Sequence, residues 1–151
     1  MSVSSYKGAK RMFIECSTQL TIRDLNDVET KLGFNLPQQL KEHYLQFNGG
    51  VPVKPCYYAK DIDLETEIAE FSPIKYKNNS RILEERYLEF INRDELPKKY
   101  LPFANDWDGN LFCMDLENES VVLIWMDLGE VTERSINFLS NSFVTFIHNL
   151  E

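Results

Sequence analysis

The apolar positions of this chain change period along its length, and the changes divide it into predicted elements. From Thr21 to Leu32 the residues Ile22, Leu25, Val28 and Leu32 recur at helical spacing and give one buried stripe. Thr21 with Asp24 has the form of a capping box, and Gly33 is a natural stop. A second helix is predicted from Pro37 onward, with Leu40, Tyr44 and Phe47 as its stripe, Leu45 widening it, and Asn48-Gly49-Gly50 as its end. Only Phe34 to Leu36 link the two, so they should form a close αα-hairpin.

The middle of the chain is more mixed. Arg11 to Cys16 reads as a first strand, while Val51 to Pro55 holds prolines at both ends of a short stretch and reads as a loop or sheet edge. Tyr57 to Lys60 reads as a short strand. Glu67 to Tyr76 reads as another, with Ile68, Phe71 and Ile74 as core candidates. Arg81 to Asn92 predicts a helix on the stripe Ile82, Leu83, Tyr87, Leu88 and Ile91. Pro97 and Pro102 bracket a loop with short extended pieces.

Strands dominate from there. Leu111 to Leu116 and Val121 to Met126 predict an antiparallel hairpin about the polar turn Glu117 to Ser120. Asn105 to Asn110 is a turn rich in Asn, Asp and Gly. Val131 to Ser135 adds an edge, and Ser140 to Leu150 closes the chain as a helix on Phe143, Phe146, Ile147 and Leu150. The order does not alternate as a βαβ series would. It predicts an α+β fold with a central, mostly antiparallel sheet and helices packed mainly on one face. Residues 1–16 form an N-terminal segment and residues 17–151 a single domain.

Composition supports a folded core, at 43% hydrophobic and 13% aromatic. Charge narrows the function. The formal net charge is -8, the wrong sign for holding a phosphate backbone, so direct binding to nucleic acid or an anionic membrane is disfavoured. A basic protein partner is permitted, because long-range attraction raises its encounter rate, but on composition alone solubility is the better account of the charge. The apolar run Val121 to Met126 is too short to span a bilayer. Cys16, Cys56 and Cys113 are odd in number and lack CxxC spacing, which suits reduced thiols in a cytoplasmic protein and argues against a zinc site.

Catalytic chemistry finds little support. His43 and His148 both fall in predicted amphipathic helices and read as helix-surface residues. Glycines form neither a phosphate loop nor a dinucleotide fingerprint, so no cofactor is indicated. Asp106, Asp108 and Asn110 fit the first positions of a calcium loop, with Glu117 at the last. Leu111 then stands where the sharp bend needs glycine, so an Asx-rich turn is the better reading and no metal is expected. A carboxylate-dependent hydrolase is the weaker enzymatic alternative.

One feature stands out. Between Lys99 and Arg134 there is neither Lys nor Arg, while Asp106, Asp108, Asp115, Glu117, Glu119, Asp127, Glu130 and Glu133 all lie there. Several should share one side of the sheet. A second acidic run, Asp61, Asp63, Glu65, Glu67 and Glu70, lies upstream. Trp125 reads as core, and Trp107, in a turn, reads as a candidate anchor. The predicted partner-binding residues are Asp61, Asp63, Glu65, Asp106, Trp107, Asp108, Asp115, Glu117 and Glu119, an aromatic ringed by acids.

Several segments together resemble a known family. They are Val28-Glu29 with Leu32-Gly33, Leu36-Pro37 and Leu40-Lys41; the helix end Phe47-Asn48-Gly49-Gly50; and the run Leu101 to Asn110 followed by Phe112 to Leu116. Ser142-Phe143 with Phe146 completes the set. Their order and spacing resemble the SUKH superfamily, related to the yeast regulator of cell-wall and glucan synthesis. The resemblance implies a SUKH-like α+β domain without a catalytic motif. It also implies a bacterial immunity protein that binds and neutralises a cognate toxin, often a nuclease, with an intracellular regulator or scaffold as the alternative. Pro52 to Lys99 matches least, and partner specificity would reside there.

Overall fold

The structure is a computed structural model that describes residues 12–151. Helix α1 spans Ile22–Leu32, and the predicted capping box is in place. Thr21 Oγ1 accepts the Asp24 N–H at 3.2 Å, and the Asp24 carboxylate accepts the Thr21 N–H at 2.9 Å. Gly33 ends the helix in the left-handed conformation, φ 85. Helix α2 spans Gln38–Gln46, α3 spans Leu83–Asn92, and α4 spans Phe143–His148. The last is shorter than expected because Ser140 belongs to a strand and Ser142 caps the helix.

The strands are β1 (Phe13–Ile14), β2 (Val51–Pro52), β3 (Cys56–Ala59), β4 (Leu64–Glu67), β5 (Glu70–Phe71), β6 (Tyr100–Asn105), β7 (Leu111–Asp115), β8 (Val121–Ile124) and β9 (Ile136–Ser140). A five-stranded sheet in the order β5-β6-β7-β8-β9 is antiparallel throughout. Two small antiparallel pairs, β1 with β2 and β3 with β4, lie outside it. The Leu111–Val121 hairpin forms as predicted, with Phe112 opposite Leu123 and Cys113 opposite Val122.

Strand β7 and strand β8 are buried along their whole length. Phe112, Met114, Val121 and Leu123 point into the main core, shared with α1, α2 and α4. Leu111, Cys113, Val122 and Ile124 form a smaller cluster with Leu96 and Tyr100, against which Phe90, Met126 and Val131 pack. The fold is therefore α+β with an antiparallel central sheet, as the sequence predicts.

Three expectations need correction, and a fourth is extended. The stretch Glu67 to Tyr76 is strand only at Glu67, the end of β4, and at Glu70–Phe71, because Pro73 cannot extend a ladder. The stretch around Pro102 is a full strand rather than a loop. A bulge between Pro102 and Ala104 accommodates the missing proline N–H. The edge strand is Ile136–Ser140, while Glu133–Ser135 forms a short 3-10 turn just before it. Finally, the α1–α2 pair does not stand alone, since α1 packs on α3 and α2 on α4. Within the pair Glu29 accepts the Leu36 N–H at 2.7 Å and faces Lys41 at 3.3 Å, which fixes the link between the helices.

His43 also departs from expectation, since it is buried within the main core. Its ring lies 4.9 Å from that of Phe13, 5.1 Å from Phe143 and 5.4 Å from Phe71. His148 is exposed, as predicted.

Candidate partner-binding surface

The turn between β6 and β7 is built by Asp106. Its carboxylate accepts the Asp108 N–H at 2.9 Å, the Asn110 N–H at 2.8 Å and an Asn110 Nδ2 hydrogen at 2.9 Å. These bonds close an Asx turn and occupy the carboxylate. Gly109 supplies the positive φ, 87, that the turn requires. Trp107 is thereby presented at the apex, 74% exposed. Its indole N–H donates to the Glu67 carboxylate at the end of β4.

That bond ties the turn to the β3–β4 hairpin. Along the hairpin Tyr58 stands opposite Glu65 and Cys56 opposite Glu67. Residues two apart share a face of a strand, so Cys56, Tyr58, Glu65 and Glu67 all lie on the exposed side. The Tyr58 hydroxyl donates to Asp63 at 2.7 Å. Asp61 and Asp63 are exposed at the hairpin tip.

The electrostatics of this region are negative. The bond to Asp63 raises the Tyr58 hydroxyl pKa, and burial and Glu65 add to it. Burial raises the Cys56 thiol, and the charges of Glu67, Glu151 and Glu65 push it the same way. Burial also raises Tyr57, with Asp61 contributing.

The remaining predicted residues lie elsewhere. Strand β7 separates the two turns by roughly 13 Å of extended chain, so Asp115, Glu117 and Glu119 sit at its far end. Asp115 is 5% exposed and accepts the Glu117 N–H at 2.9 Å, which makes it part of the turn. Lys99 lies 3.7 Å from both Asp115 and Glu117 and offsets their charge. The nine predicted residues thus divide: Asp106, Trp107 and Asp108 form the turn, Asp61, Asp63 and Glu65 lie along the hairpin that Glu67 ties to it, and the other three sit at the far end of β7.

Sequence reasoning missed Tyr58 and Phe138, each 45% exposed. For Tyr58 the signal was available, because in a strand the neighbour of an inward Tyr57 must face outward. Trp125 packs against the main core, as expected.

One cleft flanks this region, and a larger groove lies toward the far end of β7. The cleft, of about 380 Å³, lies between the hairpin and β9, lined by Tyr57 to Asp61 with Phe138, Leu139, Asn149 and Glu151. The groove, of about 840 Å³, runs between the α1–α2 link and α3, with Lys98, Lys99, Glu117 and Glu119 on its rim. Glu84 has its pKa raised by burial, but it is 2% exposed and accepts the Lys75 N–H at 3.0 Å. No helix among the described residues is long and apolar enough to cross a membrane.

The fold defines an α+β domain whose Trp107 turn and β3–β4 hairpin carry exposed carboxylates and aromatic rings. The chain belongs to the SMI1 / KNR4 family (SUKH-1), whose family model matches residues 19–149. Among solved structures it is similar to a protein from Pseudomonas syringae pv. tomato. The TM-score is 0.52 at 17% identity, covering 80% of this chain and 76% of that one, which supports the fold. No curated protein matches the chain.

Proposed function

We propose that this protein is a non-catalytic immunity protein that binds and neutralises a cognate bacterial toxin, through the surface centred on Trp107. Membership of the SMI1 / KNR4 family is consistent with an immunity or regulatory role. The observation that carries the reading is the exposed Trp107, beside Asp108 and tied by Glu67 to a hairpin whose exposed residues include Glu65, Asp63 and Asp61. A rigid aromatic anchor within a carboxylate rim suits a cationic protein partner. A nuclease is the preferred target class, because its cleft must attract a polyanion and an acidic protein can occupy it.

The test replaces Asp61, Asp63 and Asp108 with Asn and Glu65 with Gln, then measures affinity for the product of the adjacent reading frame across a salt series. The expected result is weaker binding with a flatter salt dependence. Unchanged affinity and slope would overturn the charge mechanism. A partner encoded elsewhere in the genome would favour the regulatory role.

A further inference from the structure

We propose that the open edge of β9 receives an extended, basic segment of the partner protein as an added strand, with Phe138 and Tyr58 as its apolar contacts. The proposal rests on the protein-binding reading above and names the element that does the binding.

The backbone argument comes first. Among the described residues strand β9 ends the sheet, hydrogen-bonded along its length to β8 alone, with β3 packed near it. Trp125 N–H donates to Ser135 C=O at 2.8 Å, so these residues form a hydrogen-bonded pair. The register then places Ile124 opposite Ile136, Leu123 opposite Asn137 and Val122 opposite Phe138. Hydrogen-bonded and non-hydrogen-bonded pairs alternate in an antiparallel ladder. Asn137 therefore turns its backbone groups toward β8. Phe138 turns both its N–H and its C=O outward, and Ile136 turns its C=O outward. The Ile136 N–H is taken by Glu133.

Exposed edges are usually protected by a charge, a proline or a covering element. Ile136-Asn137-Phe138-Leu139-Ser140 contains neither a charge nor a proline, and its protections are a bulge at Leu139 and the nearby β3. Further along, the Tyr57 hydroxyl donates to Leu139 C=O at 2.6 Å, which closes that end, while Phe138 before it is exposed. The 380 Å³ cleft beside it gives an added strand room for side chains.

Charge selects the occupant. Asp61 and Glu151 line the cleft against Lys60, its single cation among the described residues, and Asp63 and Glu65 flank Tyr58. A second copy of this chain, at -8, would bring like charges together. A segment with lysine or arginine at alternate positions would place cations over the acids and its backbone on Phe138.

The experiment follows amide hydrogen exchange of the full chain during titration with a short peptide of alternating lysine and valine, with a glutamate–valine peptide as control. The expected result is about tenfold slower exchange at the Phe138 amide with the lysine peptide only, abolished in Phe138→Lys. Should that variant not fold, Tyr58→Ala, at an exposed site, serves the same purpose. Equal protection by both peptides, or none at Phe138, overturns the proposal. A dimer without peptide that Phe138→Lys dissociates also overturns it, by making a second copy the occupant. Perturbation of the Trp107 indole without protection of Phe138 sinks strand addition but leaves the Trp107 reading standing.

Discussion

Trp107 and Glu67 are 40 residues apart in the chain, and their hydrogen bond joins the Asx turn of the central sheet to the β3–β4 hairpin. The bond is exposed, so little folding energy rests on it. Its consequence is orientation. Trp107→Ala should change stability by less than about 0.5 kcal/mol and weaken partner binding by about 2 kcal/mol or more, as anchors do. Glu67→Gln keeps an acceptor and should cost less. Calorimetric titration of both variants, with thermal melts alongside, checks the separation. Equal losses in melting and binding would refute it.

Asn48 is a buried joint between α2 and the segment after β5. Its Nδ2 donates to Thr18 C=O at 2.8 Å and Ile74 C=O at 3.0 Å, and its Oδ1 accepts the Ile74 N–H at 2.7 Å. Asn48→Ala leaves those backbone groups without partners in the interior and should cost about 3 kcal/mol. Tyr44→Phe removes only the hydroxyl donated to Ser72 C=O at 2.7 Å and should cost about 1 kcal/mol. Urea midpoints for the pair check the ratio.

What could be read from sequence was local or periodic. The Thr21–Asp24 capping box and the Gly33 stop depend on residues within one turn of each other. The β7–β8 hairpin depends on short apolar strands about a polar turn. The Asp106 turn was legible for the same reason. Distance defeated the rest. The acids from Asp106 to Glu119 are contiguous in sequence, but β7 runs straight between them and carries Asp115, Glu117 and Glu119 to the other end of the sheet. Pro102 argued for a loop because the bulge that accommodates it appears only once β6 pairs with β7. His43 stands three residues after Leu40 and four before Phe47, on the apolar stripe of α2. Its polarity hid a position that the spacing marked as core.

Two glycines separate conformation from packing. Gly33 and Gly50 both have positive φ, 85 and 93. A Cβ at Gly33 would meet nothing within 4 Å, whereas at Gly50 it would lie 2.5 Å from the Ile14 carbonyl oxygen. Gly33→Ala should therefore cost about 1 kcal/mol, the backbone penalty alone. Gly50→Ala must also part β1 from β2 and should exceed about 3 kcal/mol. Comparable losses for the two would show that the approach of β1 to Gly50 adds nothing.

Burial lowers the pKa of His43 from its usual 6.5 to about 3, and its Nε2 finds no hydrogen-bond partner among the described residues. The folded protein therefore keeps this ring neutral while the unfolded chain takes up a proton below pH 6.5. Between those values the unfolded state binds more protons, so stability rises with pH and is lost as pH falls. The loss should run at about 1.4 kcal/mol per pH unit, or about 2 kcal/mol between neutral pH and pH 5. The raised pKa of Glu84 acts in the opposite sense, since the folded state holds that proton more tightly. His43→Phe keeps an aromatic ring in the cluster and leaves Glu84 in place. Subtracting its pH dependence therefore isolates His43, even if the larger ring shifts absolute stability. Urea midpoints should fall with acid in the parent and hold level or rise in the variant. Parallel curves would mean that His43 gains its proton without opening the core.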